Sequence, residues 1–255
     1  MSKIQFSAEE MSILIKSHLE EKTPLSIIRY GDGEMMMLDD NTENTHFILK
    51  KVLGYVPSDE EIAVMRANLI TSYKECDFIG IPTERHLERA DQWRHTLSVF
   101  NREIGEDVLN SKKITSIDLF YDLLGTGFFN GLFANQDRIN YISCRNLDDV
   151  LRIKYNVKEV NSFIISPEPT YTSGYTGEKH FPEQFNKISE WIKNIDSEGA
   201  LCLVGAGIPG KIYNNWFRDK GGVSLDIGSV FDCWAGKKTR GSGRGMDVED
   251  LTHKL

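Results

Sequence analysis

Residues 25–38, LSIIRYGDGEMMML, hold the pattern from which the fold is read. Leu25, Ile27, Ile28 and Tyr30 make a short apolar, β-branched run, which reads as a buried strand. The run stops at the turn Gly31-Asp32-Gly33, and Glu34 follows at once. Two carboxylates thus stand just past a strand end, and in an open α/β sheet ligands bind in the crevice beyond the carboxyl ends of the strands. The flanking glycines let the backbone bend so that Asp32 and Glu34 can converge on one cation. Paired hard oxygens suit Mn²⁺ or Mg²⁺, which complete their shell with water and substrate phosphates. Arg29, just before the turn, can neutralise a phosphate or hold one of the carboxylates. The same residues also suit a surface Asp-Gly turn with Glu34 in the first turn of a helix.

Outward from this stretch, helical and strand patterns alternate. Ser7 with Glu10 is a capping-box pattern opening a helix through Met11, Leu14, Ile15 and Leu19. Met35 to Leu38 continue as a short helix, and Asp39 to Thr45 read as a polar loop. Ser58 with Glu61 opens a second capped helix, and Phe78 to Ile81 form a strand ended by Pro82. His86 to about Ile104 read as one long helix, with His86 and His95 too far apart for paired metal ligation on one helix. A strand at Ile114 to Ile117 ends at Asp118. Leu119 to Phe133 are largely apolar and aromatic, which reads as a helix buried in the core or packed against another copy of the chain. Strands follow at Ile139 to Cys144, with Arg145 at its end, and at Val160 to Ile165. Thr170 to Lys179, TYTSGYTGEK, read as a mobile loop suited to a substrate lid. Phe181 to Ile195 and Lys211 to Asp219 are helical, and strands occupy Ala200 to Val204 and Val223 to Ile227. About seven strands alternating with helices predict a Rossmann-like α/β fold, a largely parallel sheet covered on both faces, in one domain spanning residues 1–255.

The segment ALCLVGAGIPGKIYNNWF puts Gly205, Gly207 and Gly210 between a strand and a helix. It matches GxGxxG, with Asp226 where a ribose-binding acid would stand, so an NAD-dependent oxidoreductase is the alternative enzyme. It also matches GxxxxGK with Lys211 as the lysine, but Ile212 replaces the magnesium-binding hydroxyl. Both patterns share one physical element: backbone amides near Gly207 and Gly210, with Lys211, at a helix N-terminus that favours phosphate. A tight turn whose glycines only permit packing is the plain alternative.

RYGDGE after an apolar strand resembles the Asp-x-Glu signature of the GT-D glycosyltransferases, bacterial sugar transferases first catalogued as a domain of unknown function. GAGIPGKIYNNWF, SLDIGSVFDCWAG and the closing KKTRG are similar to that family's last quarter, so the resemblance runs from about Leu25 to Arg240. It implies a GT-D type fold and metal-assisted transfer of a sugar from a nucleotide diphosphate donor, a UDP-sugar, to a glycan, lipid-linked or glycoprotein acceptor. Asp32 and Glu34 take the metal and diphosphate role in that reading. Arg29, Gly31, Arg145, Gly207, Gly210 and Lys211 are the expected donor-binding residues. An inverting transfer needs a general base, for which Asp118, His180, Asp226 and Asp232 qualify by type, with Asp226 favoured by its strand-end position. A nucleotide-binding protein without catalysis is the third reading.

A net charge of −8 argues against a general nucleic-acid binder, which needs a basic footprint. The expected localisation is cytoplasmic, since no apolar run is long enough to span a bilayer and MSKIQFSAEE has no signal-peptide core. Cys76, Cys144, Cys202 and Cys233 are scattered, as reduced thiols are. A basic tail from about residue 237, with Lys237, Lys238, Arg240 and Arg244, is expected to close over the donor or meet an anionic lipid-linked acceptor at the membrane surface.

Overall fold

The structure is a computed structural model, and it describes residues 4–134, 136–168 and 177–237. Its elements in chain order begin α1 (Ala8–Glu20), β1 (Leu25–Arg29), α2 (Asp32–Leu38), α3 (Thr42–Leu53), α4 (Asp59–Glu75) and β2 (Phe78–Ile81). They continue α5 (Glu84–Arg89), α6 (Asp91–Phe100), α7 (Glu106–Ser111), β3 (Lys113–Ser116), α8 (Leu119–Asp122), α9 (Phe128–Ala134) and β4 (Arg138–Ser143). The last are α10 (Asp148–Tyr155), β5 (Glu159–Ile164), α11 (Phe185–Asn194), β6 (Leu201–Gly205), α12 (Gly210–Asp219), β7 (Val223–Asp226) and α13 (Val230–Trp234). The strands form one sheet in the order β3-β2-β1-β7-β6-β4-β5, and every pairing is parallel.

Period-two alternation divides the apolar side chains of each strand between two cores. Ile28, Tyr30, Ile79, Ile81, Cys202 and Val204 face the layer built with α2, α3, α4, α6, α11 and α12. Leu25, Ile27, Phe78, Leu201 and Leu203 face the opposite layer, built with α1, α8, α9, α10 and α13. Both faces of the sheet are therefore covered, which is why the strands read as nearly continuous apolar runs.

Both capping boxes form. Ser7 N–H donates to Glu10 Oε2 at 2.8 Å and Glu10 N–H to Ser7 Oγ at 3.2 Å; Ser58 and Glu61 repeat the exchange at 2.9 and 3.2 Å. Three local expectations need correction. The polar loop expected at Asp39 to Thr45 is short, because Asn41 Oδ1 accepts from the amides of Glu43 and Asn44 and starts α3. The long helix expected from His86 is broken at Ala90, which has extended backbone at φ −158°, so α5 and α6 meet at an angle rather than in line. The apolar stretch from Leu119 is likewise two helices, parted where Gly125 and Gly127 adopt left-handed backbone at φ +80° and +78°. Among the described residues no helix is long and apolar enough to cross a membrane, and all four cysteines are free.

The candidate lid at Thr170 to Lys179 lies mostly outside the described residues, as do Lys238, Arg240 and Arg244 of the basic tail.

Candidate active site

A cleft of about 440 Å³ opens along the carboxyl ends of the strands. It is lined by Arg29 and Gly31 to Glu34 at the end of β1, Ile117 and Asp118 after β3, Ser143 to Arg145 at the end of β4, Ile165 to Glu168 after β5, Gly205 to Ile208 at the end of β6, and Asp226, Gly228 and Ser229 at the end of β7. The chain leaves β4 towards the edge strand β5 and leaves β6 the opposite way towards β7, so the connections part above the cleft.

The floor of the cleft is a buried charge cluster. Asp226 is 1% exposed. Its Oδ2 accepts from the Arg29 backbone N–H at 3.2 Å and from Arg29 Nε at 3.3 Å, and its Oδ1 from Arg29 Nη2 at 3.3 Å. Lys211 Nζ lies 3.1 Å from Asp226 Oδ2 and 2.9 Å from Glu34 Oε1, and donates to the Gly207 carbonyl oxygen at 3.2 Å. Glu34 Oε2 accepts the Gly31 N–H at 3.0 Å, which fixes the turn that carries Asp32. Burial pushes the Asp226 carboxyl up, but Arg29 and Lys211 outweigh it and hold the group below the usual carboxylate range. Burial likewise pulls the Lys211 ammonium down, and Asp226 with Glu34 reverses that. Two cations and two anions therefore satisfy one another.

This cluster bears on several expected roles. Asp226 is a poor general base, because a carboxylate held by two buried cations gains little from taking a proton. Buried and paired with two cations, it is poorly placed to receive a ribose, which weakens the dinucleotide alternative. Lys211 turns back into the protein rather than out toward a phosphate, and Arg29 holds a carboxylate. Gly210 and Lys211 spend their amides on the Gly207 and Ile208 carbonyl oxygens at 3.2 and 3.3 Å, so the start of α12 is closed on itself. Gly205 is a packing glycine: a Cβ there would lie 2.4 Å from the Phe231 ring.

Asp32 and Glu34 stand in different surroundings. Glu34 is buried, with one oxygen on Lys211 and the other on the Gly31 amide, whereas Asp32 is exposed at the start of α2 and lines the cleft. A dication on Glu34 would sit beside the Lys211 ammonium, so Glu34 does not suit the metal role in this arrangement. Asp32 does suit it, since Mg²⁺ and Mn²⁺ bind through one or two carboxylates plus substrate phosphates. The charge balance points the same way. Among the described residues the lining carries six carboxylates (Asp32, Glu34, Asp118, Glu168, Asp226, Asp232) against the four cations Arg29, Lys51, Arg145 and Lys211. Among the described residues no three His, Cys, Asp or Glu side chains cluster as a ready-made metal cage.

Arg145 reaches the cleft but is paired with Asp232, its Nε and Nη2 both 2.8 Å from Asp232 Oδ1. His180 accepts from or donates to Tyr213 Oη across 3.1 Å, and burial pushes its pKa down to about 4. Because the unfolded ring titrates near 6.5, acid protonates the unfolded chain first. Stability should therefore fall by roughly 3 kcal/mol in total between pH 6.5 and 4 on this account. His180→Gln keeps an acceptor for Tyr213 and should flatten the pH dependence of the unfolding midpoint across that window. Parallel pH profiles for the two proteins would refute this assignment.

Sequence reasoning missed Lys51 and Val52 on α3, Trp93 on α6, and Tyr121, whose hydroxyl bonds Ser229 Oγ; all line the cleft. It also set His86 aside as an ordinary histidine. Asn41 followed by apolar residues at 48, 49, 52 and 53 was the available signal for α3.

The sequence model of the GT-D fold-like domain matches residues 6–234. A solved structure described as a new glycosyltransferase (DUF1792) from Streptococcus sanguinis superposes with a TM-score of 0.55 at 15% identity, covering 89% of this chain and 81% of that one. A structure reported to show that domain of unknown function 1792 has a distinct glycosyltransferase fold gives 0.52 at 15% identity, over 91% of this chain and 80% of that one. A selenomethionine-substituted structure of the same domain gives 0.54 at 16% identity over the same shares. No curated protein matches in sequence. The family resemblance and the parallel α/β fold read from the sequence are both borne out.

Proposed function

The chain belongs to the GT-D fold-like domain family, and from that premise we propose that it transfers a sugar from a nucleotide diphosphate donor, a UDP-sugar, to a glycan, lipid-linked or glycoprotein acceptor. The observation that carries this reading is the cleft itself: it lies past the carboxyl ends of the strands of a GT-D-like fold, and among the described residues its lining holds more carboxylates than cations, with Asp32 exposed in it. A diphosphate in such a lining is favoured by an accompanying cation. Mn²⁺ or Mg²⁺ held by Asp32 would supply that charge and stabilise the diphosphate as it leaves. The remaining work falls to this chain's residues. Glu34 and Lys211 hold the turn that presents Asp32, and Ala206 to Ile208 line the cleft as well. Tight positioning of this kind is what lowers the entropic cost of reaching the transition state.

The oxidoreductase reading predicts NAD binding without a metal, and calorimetric titration with UDP, NAD and ATP, each with and without Mn²⁺, separates the two. UDP is expected to bind at micromolar strength, about −8 kcal/mol, only with Mn²⁺ present. Metal-independent NAD binding with none for UDP would overturn the proposal.

A further inference from the structure

The reading above leaves the acceptor side of the reaction without a base, and the β3 end of the cleft holds a carboxylate built for that task. Asp118 follows β3, and its side chain is about one-fifth exposed where it lines the cleft. His86, from α5, places Nε2 3.3 Å from Asp118 Oδ2. The other ring nitrogen fixes the tautomer: Nδ1 accepts the Thr83 backbone N–H at 3.2 Å and lies 2.8 Å from the Thr83 hydroxyl. The proton of the neutral ring therefore sits on Nε2 and points at Asp118. Trp93 packs edge-on against the imidazole, with centroids 5.0 Å apart, and holds its plane.

Two further contacts bring Asp118 beside the Asp32 turn. A Cβ on Gly31 would lie 3.3 Å from Ile117 Cδ1, so the residue before Asp118 packs directly on that turn. A Cβ on Gly80, in the intervening strand β2, would lie 2.9 Å from the Ser116 carbonyl oxygen and 3.0 Å from Arg29 Cγ. Only glycine there lets the ends of β1 and β3 close in on one another.

Three other carboxylates of the cleft are held by cations. Glu34 and Asp226 are held by Lys211 and Arg29, and Asp232 by Arg145. Glu168 follows β5, the opposite edge strand of the sheet.

We propose that Asp118 is the general base that deprotonates the acceptor, and that His86 is its positioning residue. This rests on the sugar-transfer reading above. The acceptor hydroxyl oxygen attacks the anomeric carbon of the donor and forms the new C–O bond; its proton passes to the Asp118 carboxylate. The bond from the anomeric carbon to the phosphate oxygen breaks, and the nucleoside diphosphate leaves with the electron pair. One displacement of this kind inverts the anomeric centre.

The test uses UDP affinity by calorimetry and UDP release from a panel of UDP-glucose, UDP-galactose and UDP-N-acetylglucosamine with Mn²⁺, with water and methyl glycosides as acceptors. Asp118→Asn, which keeps the volume and can still accept from His86, should lower turnover by about 10²- to 10⁴-fold, with UDP affinity within about twofold of wild type. His86→Gln, whose amide nitrogen can replace Nε2, should retain most turnover, whereas His86→Phe should approach Asp118→Asn, with UDP affinity unchanged in both. The product should be inverted by proton NMR. Full turnover in Asp118→Asn, a retained anomer, or a collapse in Glu168→Gln that Asp118→Asn does not share would overturn the proposal. So would a wild-type protein that binds UDP but releases it from no donor, and that outcome leaves donor binding standing. A wild type that binds no nucleotide would overturn the sugar-transfer reading and this proposal together.

Discussion

Replacing Lys211 with methionine is expected to lower the free energy of unfolding by about 3–5 kcal/mol, because it leaves charge buried and uncompensated. Lys211 touches three acceptors, Glu34 Oε1, Asp226 Oδ2 and the Gly207 carbonyl oxygen, and it is 5% exposed. Methionine keeps the bulk, so the loss isolates the charge rather than a cavity. For a chain of this size the midpoint of thermal unfolding should drop by roughly 10 °C. Coupling to Glu34 supplies an internal check. The double variant Lys211→Met with Glu34→Gln should be more stable than the sum of the single changes by about 1–2 kcal/mol, since the glutamine removes the charge that the lysine had balanced. The sequence alone suggested a narrower effect, the loss of one phosphate contact. A midpoint within about 3 °C of wild type, with weakened UDP binding, would restore that reading and contradict the buried cluster.

Why the sequence misplaced Lys211 is plain from its position. A lysine in the first turn of a helix after a glycine-rich loop can reach a ligand or fold back, and what decides is whether buried anions wait behind it. Here Glu34 and Asp226 do, from points 177 residues before and 15 residues after it in the chain. The sheet was legible because its strands are buried on both faces and read as apolar runs. The turn after β1 was legible because a Gly-Asp-Gly stop is abrupt. α3 was hidden by its polar opening, residues 41–45, which suit a loop and a helix N-terminus equally well. The pairing of His86 with Asp118 had no local signal at all. The two lie 32 residues apart and meet only because β2 and β3 are parallel neighbours whose ends share one side of the sheet. Asp32 and Glu34 illustrate the opposite difficulty. Spacing of two residues made a shared cation natural, but the start of α2 turns one side chain inward as a cap and leaves the other outside.

That division makes Asp32 the residue on which metal-dependent donor binding should hinge. Asp32→Asn keeps the shape of the turn, whose Gly33 N–H to Asp32 Oδ1 contact at 3.0 Å an amide oxygen can also accept. It removes one negative charge from an exposed side chain, so stability should change by less than about 0.5 kcal/mol. Losing a direct carboxylate ligand should cost roughly 1.5–3 kcal/mol of binding, a factor of about 10 to 100. Glu34→Gln should act differently, lowering stability through Lys211 as well as affinity. The decisive measurement is calorimetric titration of UDP into wild type and Asp32→Asn, each in Mn²⁺ and in EDTA. The account predicts that Mn²⁺ tightens UDP binding to wild type by about tenfold or more and leaves binding to Asp32→Asn unchanged; an equal gain from Mn²⁺ in both proteins would contradict it.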